Sequence, residues 1–195
     1  MDVNIKEIAG NWDQGYVLHQ HVLSSTFIGN NEHGHPQFET NRSEVGEDLF
    51  QLKYRGDWSQ VASLAAQVAA SIVPLFDDVG LIVPMPASNV RARQPVNEIA
   101  KELGNVIKVP VFEDIIVKAA ANSGGLQLKD MTTKEEKVAA LVDRFTINDS
   151  IDTGCWNALL LDDLFDTGAS MEFACATLKT YSKIKKVYVA ALTWK

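Results

Sequence analysis

The chain has 195 residues, 46% hydrophobic and 22% charged, with a formal charge of −7 and a pI near 5.1. This composition supports a sizeable core and excludes disorder, and its acidic balance opposes direct nucleic-acid binding, which needs a basic face. No apolar run reaches the roughly 18 residues of a membrane span, and the first residues, Met1 to Lys6, lack the basic and apolar regions of a secretory leader. The two cysteines, Cys155 and Cys175, fit reduced thiols in a cytoplasmic protein.

The first 50 residues differ in texture from the rest. A β-like stretch, Gln14 to Leu23, runs into the turn-rich Gly29 to Pro36. Asp57-Trp-Ser-Gln60 resembles a capping box, and apolar residues recur from there through Val73, with Pro74 as the stop. Val79 to Val83 reads as a short buried strand and Pro95 to Leu103 as a helix with Gly104 as its C-terminal signal. Val109 to Val117 is a strand or a pair of strands. Asn122 to Gly125 breaks structure, and Thr133 to Val142 is a polar helix. A buried strand follows Asn157, then a helix to about Lys183 and a last strand, Val187 to Thr193. Strands alternating with helices predict an α/β fold, a Rossmann-like parallel sheet with helices on both faces and right-handed crossovers. Residues 1–50 would be an N-terminal segment on a core of residues 51–195, one globular domain in all.

The segment Ala158 to Ser170 carries the most chemistry. Ala158 to Leu161 are apolar without alternation, as in a strand covered on both faces. Asp162 and Asp163 follow at its carboxyl end, where open α/β sheets bind ligands. Asp166 and then Thr167-Gly168-Ala169-Ser170 open a helix, offering unpaired amides, two hydroxyls and a favourable dipole to an anion. Carboxylates beside such a cradle accept from sugar hydroxyls or hold a hard cation such as Mg²⁺. A ribose 5-phosphate carrying a metal-bound diphosphate meets all these demands. A second candidate loop follows Val83. Pro84 and Pro86, flanking Met85, stiffen it; Ala87 and Ser88 permit close approach; Arg91 and Arg93 offer forks for phosphate oxygens. The plainer reading is a proline-bounded connection with two solvated arginines.

Ala158 to Ser170 resembles the PRPP-binding motif of the type I phosphoribosyltransferases: four apolar residues, two acids, two variable positions, Asp or Thr, Thr-Gly, any residue, then Thr or Ser. Every position is met. The resemblance implies PRPP contacts from Asp162, Asp163, Asp166, Thr167, Gly168, Ala169 and Ser170, with Mg²⁺ at Asp162 and Asp163. It implies a pyrophosphate loop of Pro84, Met85, Pro86, Ala87, Arg91 and Arg93, and a hood from residues 1–50 over the acceptor. The reaction implied is transfer of ribose 5-phosphate to a nitrogenous base with release of pyrophosphate, Arg91 and Asp166 being the catalytic candidates and a homodimer being compatible. Asp166 either contacts the base or caps the following helix, and the cap is the favoured reading.

The wider pattern is similar to the ComF-like branch. Leu52-Lys-Tyr-Arg-Gly-Asp57, the Pro-x-Pro loop with Arg91 and Asn97, and the motif itself carry that resemblance. The branch's four-cysteine zinc ribbon is missing, Gln94-Pro-Val-Asn-Glu98 replaces its usual Arg-Gly-Phe-Asn-Gln, and Asp166 stands where it often has Thr. A non-catalytic sensor of PRPP or nucleotides and a DNA-uptake accessory protein are the alternative functions. Lys53 and Arg55 line the phosphate site or are solvated, and Ala119 to Met131 is a mobile flap or an ordinary loop. His19 with His21 and His33 with His35 form two His-x-His pairs, which are metal ligands or, the favoured reading, surface histidines.

Overall fold

In the computed structural model, which describes residues 1–87, 91–118 and 145–195, the strands in chain order are β1 (Lys6–Glu7), β2 (Gln14–Gln20), β3 (Val22–Asn30), β4 (Pro36–Arg42), β5 (Leu81–Pro84), β6 (Ile116–Lys118), β7 (Phe145–Ile147), β8 (Trp156–Phe165) and β9 (Ile184–Trp194). The helices are α1 (Glu44–Phe50), α2 (Gln60–Ser71), α3 (Pro95–Ile107) and α4 (Ala169–Lys179). The motif strand is β8. It lies in a five-stranded sheet of order β1-β2-β9-β8-β5, in which the last four strands are parallel and β1 runs antiparallel along one edge.

Alternate residues of each central strand point to opposite faces, so both faces had to be apolar. On one face Val17, Val83, Leu160 and Val189 pack with Met171, Ala174 and Leu178 of α4. On the other, Leu18, Ile82, Leu159, Leu161 and Ala190 pack with Leu49 of α1, Leu64 and Val68 of α2, and Ile99 and Leu103 of α3. Each buried Val, Leu, Ile or Met side chain among these contributes about 1.5–3 kcal/mol relative to exposure. Among the described residues no helix is long and apolar enough to cross a membrane.

The parallel register brings four strand ends to one edge. Gln20 and Phe165 both lie opposite Trp194, and Pro84 lies opposite Leu161. Strand β8 runs four residues past the apolar Ala158 to Leu161, because pairing with β9 continues from Asp162↔Ala191 to Phe165↔Trp194. The acid pair therefore sits on a strand, with strand geometry, rather than in a loop.

Other differences have local causes. Part of the N-terminal segment belongs to the sheet: β2 pairs with β9 from Gln14↔Tyr188 to Gln20↔Trp194, and Val17 and Leu18 are fully buried on opposite faces. Strands β3 and β4 form a separate two-stranded ribbon. Ser43 ties its exit to the sheet, accepting from the Gly46 amide at 3.0 Å as the α1 cap and donating to the Gln20 carbonyl at 2.6 Å. Gly104 does not end α3, which continues to Ile107 and closes on Lys108 at φ 61°. It is a packing glycine, since a Cβ there would lie 2.5 Å from the Val111 side chain. Helix α4 stops at Lys179 rather than Lys183, because Lys183 already accepts from the Trp156 amide as β9 begins. The helix expected over Thr133 to Val142 and the break at Asn122 to Gly125 lie outside the described residues.

Candidate functional site

Strand β8 delivers the acids side by side. The Asp163 amide donates to Asp162 Oδ1 at 2.8 Å, so the carboxylate of Asp162 is fixed by its own neighbour's backbone. Asp163 Oδ2 receives the ammonium of Lys53 at 2.7 Å. Lys53 arrives from a π-helical turn, Gln51–Arg55, that prolongs α1 and ends on Gly56 at φ 68°. Such turns insert an extra residue and re-aim side chains, and they recur at functional sites.

The electrostatics follow from this packing. Burial pushes Asp162 up to about 7, and the charge of Asp163 adds to the rise. Burial opposes the charge on Lys53, but the charge and hydrogen bond of Asp163 outweigh it and hold the ammonium above the usual lysine range. Behind the pair, burial and then the charges of Arg42 and Lys53 depress His21.

After Phe165 the chain turns into α4. Gly168 occupies the N-cap at φ 80°, a conformation that disfavours any side chain, and a Cβ there would also meet the Phe165 ring at 3.1 Å. That ring is held edge-on by Trp12, with centroids 6.2 Å apart. The cap position belongs to Gly168, so Asp166 is not the cap, against the favoured sequence reading. Asp166 is exposed instead on the wall of a cavity.

Two cavities open at this edge. The larger, of about 370 Å³, is bounded by Lys53, Arg91, Lys118, Asp162 and Asp163, with Met85, Pro86 and Ala87 along one side. The smaller, of about 250 Å³, is walled by the turn Asp166 to Ser170 and by Lys195. Asp162, Leu164 and Ser170 belong to both. The larger falls within the range of small-molecule sites.

Most of the residues singled out from sequence meet here: the acids, the turn, Met85, Pro86, Ala87 and Arg91, whose Nη1 donates to the Lys53 carbonyl at 3.4 Å. Two do not. Pro84 is buried at the end of β5 and lines neither cavity. Arg93 is engaged elsewhere, with Nε and Nη2 on Glu98 at 2.8 and 2.7 Å and its guanidinium 4.0 Å over the Trp58 ring. Ser88 and the expected flap lie outside the described residues. Lys118, which no sequence pattern marks, and Lys53 both line the larger cavity, whereas Arg55 is exposed.

Two adjacent carboxylates in a partly buried site, one of them raised in pKa by burial and by the charge of the other, fit a hard divalent cation bound by oxygen. Asp162 and Asp163 are the residues that would hold it. Of the histidines, His19 stacks on Trp194 with centroids 6.0 Å apart, and His33 and His35 lie exposed in the β3–β4 turn. Among the described residues no group of three or more His, Cys, Asp or Glu could hold a metal.

No protein-family model and no curated protein matches the chain. Among solved structures it is similar to adenine phosphoribosyltransferase from Trypanosoma brucei in complex with AMP, pyrophosphate and ribose-5-phosphate, with a TM-score of 0.51 and 11% identity over 100% of this chain and 76% of that one. It is also similar to the adenine phosphoribosyltransferase of Leishmania tarentolae, with a TM-score of 0.49 and 9% identity over 98% and 95% of the two chains. Leishmania donovani UMP synthase matches with a TM-score of 0.43 and 12% identity over 87% of this chain, which spans only 28% of the synthase. With its parallel β2-β9-β8-β5 order and helices on both faces, the chain has the α/β fold of the type I phosphoribosyltransferases.

Proposed function

We propose that the chain binds PRPP with Mg²⁺ and transfers its ribose 5-phosphate to a nitrogenous base, releasing pyrophosphate. One observation carries this reading: the acid pair lines a cavity walled by Lys53, Arg91 and Lys118, and that cavity shares Asp162, Leu164 and Ser170 with a second one walled by a helix-opening turn. Phosphate, sugar diol and diphosphate follow one another in PRPP in the same order. The ComF-like assignment draws support from the same place, because all three segments that carry it contribute to the larger cavity.

In this reading the amides of Gly168 and Ala169 and the hydroxyls of Thr167 and Ser170 hold the 5-phosphate, supplying binding energy far from the reacting bond. Asp162 and Asp163 accept from the ribose hydroxyls and face the positive charge that develops on the ring. A bound Mg²⁺ would offset charge on the diphosphate oxygens. Arg91 neutralises the pyrophosphate as the bond from the anomeric carbon to its oxygen breaks and the bond to the base nitrogen forms. Asp166 receives the proton that the base nitrogen sheds. The β3–β4 ribbon is the part of residues 1–50 available to act as a hood.

The test is calorimetric titration with PRPP in the presence of Mg²⁺, followed by pyrophosphate release with a panel of purines and pyrimidines. Binding with turnover is expected. Binding without turnover on any base would replace transfer by sensing, and no binding would end the reading.

A further inference from the structure

We infer that Lys53 is a built-in surrogate for the metal, occupying Asp163 in the free protein so that a bare divalent cation binds poorly and a cation accompanied by a diphosphate binds well. The inference rests on the Mg·PRPP reading of the same site and adds to it a rule for how the two ligands depend on each other.

The starting observation is the 2.7 Å contact between Lys53 Nζ and Asp163 Oδ2, with the two side chains only 24% and 15% exposed. A pair so shielded from water is strong, and removing either partner leaves a charge uncompensated. A divalent cation that is to use both carboxylates must displace the ammonium.

The backbone of Lys53 is anchored independently of the side chain's pairing with Asp163. Leu52 beside it is buried, the turn is closed by the Gly56 amide on the Gln51 carbonyl, and Arg91 donates to the Lys53 carbonyl. The side chain itself is a flexible four-carbon stem carrying a point charge. Displaced from Asp163, the ammonium stays in the larger cavity, where Arg91 and Lys118 already stand.

Two cases then differ in sign. A cation arriving alone gains the carboxylates but faces an ejected ammonium and two further cationic side chains, so repulsion cancels much of the gain. A cation arriving with a diphosphate gives the ammonium a new anionic partner in the same cavity. Metal and diphosphate therefore bind with positive coupling, and Lys53 sets its size. Lys53 acts here twice, on Asp163 in the free protein and on the diphosphate once it is bound.

The test uses Mn²⁺ as a spectroscopically visible probe and inorganic pyrophosphate as the diphosphate. Dissociation constants for Mn²⁺ alone and for premixed Mn²⁺ and pyrophosphate are measured by electron paramagnetic resonance and calorimetry on wild type, Lys53→Met, Lys53→Gln and Lys53→Arg. Wild type is expected to bind Mn²⁺ alone at least tenfold more weakly than the mixture. Lys53→Met and Lys53→Gln should tighten Mn²⁺ alone by about tenfold and lose the advantage of the mixture, while Lys53→Arg keeps the wild-type pattern. Unchanged or weaker Mn²⁺ binding by a folded neutral variant overturns the inference. Should neither neutral variant fold, wild-type binding of Mn²⁺ alone as tight as that of the mixture overturns it equally. Wild type that binds Mg·PRPP beside a neutral variant with no gain for Mn²⁺ sinks the surrogate role and spares the functional reading. The reverse result, a gain for Mn²⁺ in a protein indifferent to PRPP, sinks the functional reading and spares the surrogate role.

Discussion

Thr193 Oγ1 donates to the backbone carbonyl of Asp163 at 2.9 Å, from a side chain with no exposure to solvent. The last strand thus holds the acid pair from behind, adding a side-chain donor where β8 runs past its apolar stretch alongside β9. Thr193→Val keeps the shape and removes the donor. We expect a loss of about 1–2 kcal/mol in urea denaturation and a several-fold weaker affinity for Mg·PRPP, read by calorimetry. A variant as stable as wild type would mean that the carbonyl finds another donor.

Asp162 gives the protein a pH-dependent stability of unusual sign. Its folded pKa, about 7, lies above its ordinary value near 3.8, so the folded state holds the proton more tightly than the unfolded one. The contribution is fully present below the unfolded value and is lost as pH rises through the folded one. Asp162→Asn removes that loss and still accepts from the Asp163 amide. The variant should gain on wild type between about pH 4 and pH 8, ending on the order of 2 kcal/mol more stable at the upper limit. Denaturation midpoints at the two ends of the range decide it; a constant difference would show that burial of this carboxyl carries little cost.

Gly168 joins conformation to ligand approach. Valine there must adopt φ 80° and displace the Phe165 ring, at a cost of about 2 kcal/mol. A folded Gly168→Val protein should bind ribose 5-phosphate at least tenfold more weakly. Unchanged affinity in calorimetry would remove the turn from the phosphate site.

The two arginines of the proline loop should behave differently. Arg91→Ala should slow pyrophosphate release more than it weakens ribose 5-phosphate binding, because its charge faces the leaving group. Arg93→Ala should leave both unchanged and lower stability by about 0.5–1 kcal/mol, through the lost Glu98 pair and Trp58 stack. Equal kinetic effects from both would undo the assignment of Arg91 alone.

The legible part of the site is the part that is contiguous. Ala158 to Ser170 carries strand, acids, turn and helix start in one stretch, so composition and order sufficed. Lys53 and Lys118 reach the cavity from elements far away in the chain, and no local pattern records that meeting. The π-helical turn that aims Lys53 is equally silent in sequence, since its residues also suit an ordinary helix end. Arg93 left a usable signal, since Glu98 lies five residues on, within reach of its guanidinium, while the Trp58 face that completes its setting comes from far away in the chain. In the fold, the run Tyr16-Val17-Leu18 already implied burial on two faces, as its place in β2 requires. The end of β8 was misjudged because pairing with β9, rather than hydropathy, keeps the acids extended.

The position of β9 also bears on how the molecule is made. It is the middle strand of the sheet and the latest of the described elements to leave the ribosome, and its neighbours, β2 and β8, are both synthesised before it. Until Ile184 to Trp194 emerges, each neighbour presents an open, apolar edge, the form of strand most prone to pair with another chain. Pairing of residues 14–20 with residues 188–194 closes a loop nearly as long as the chain and so delays completion of the sheet. Recovery of soluble protein from translation should therefore be governed by chaperone occupancy of those two edges.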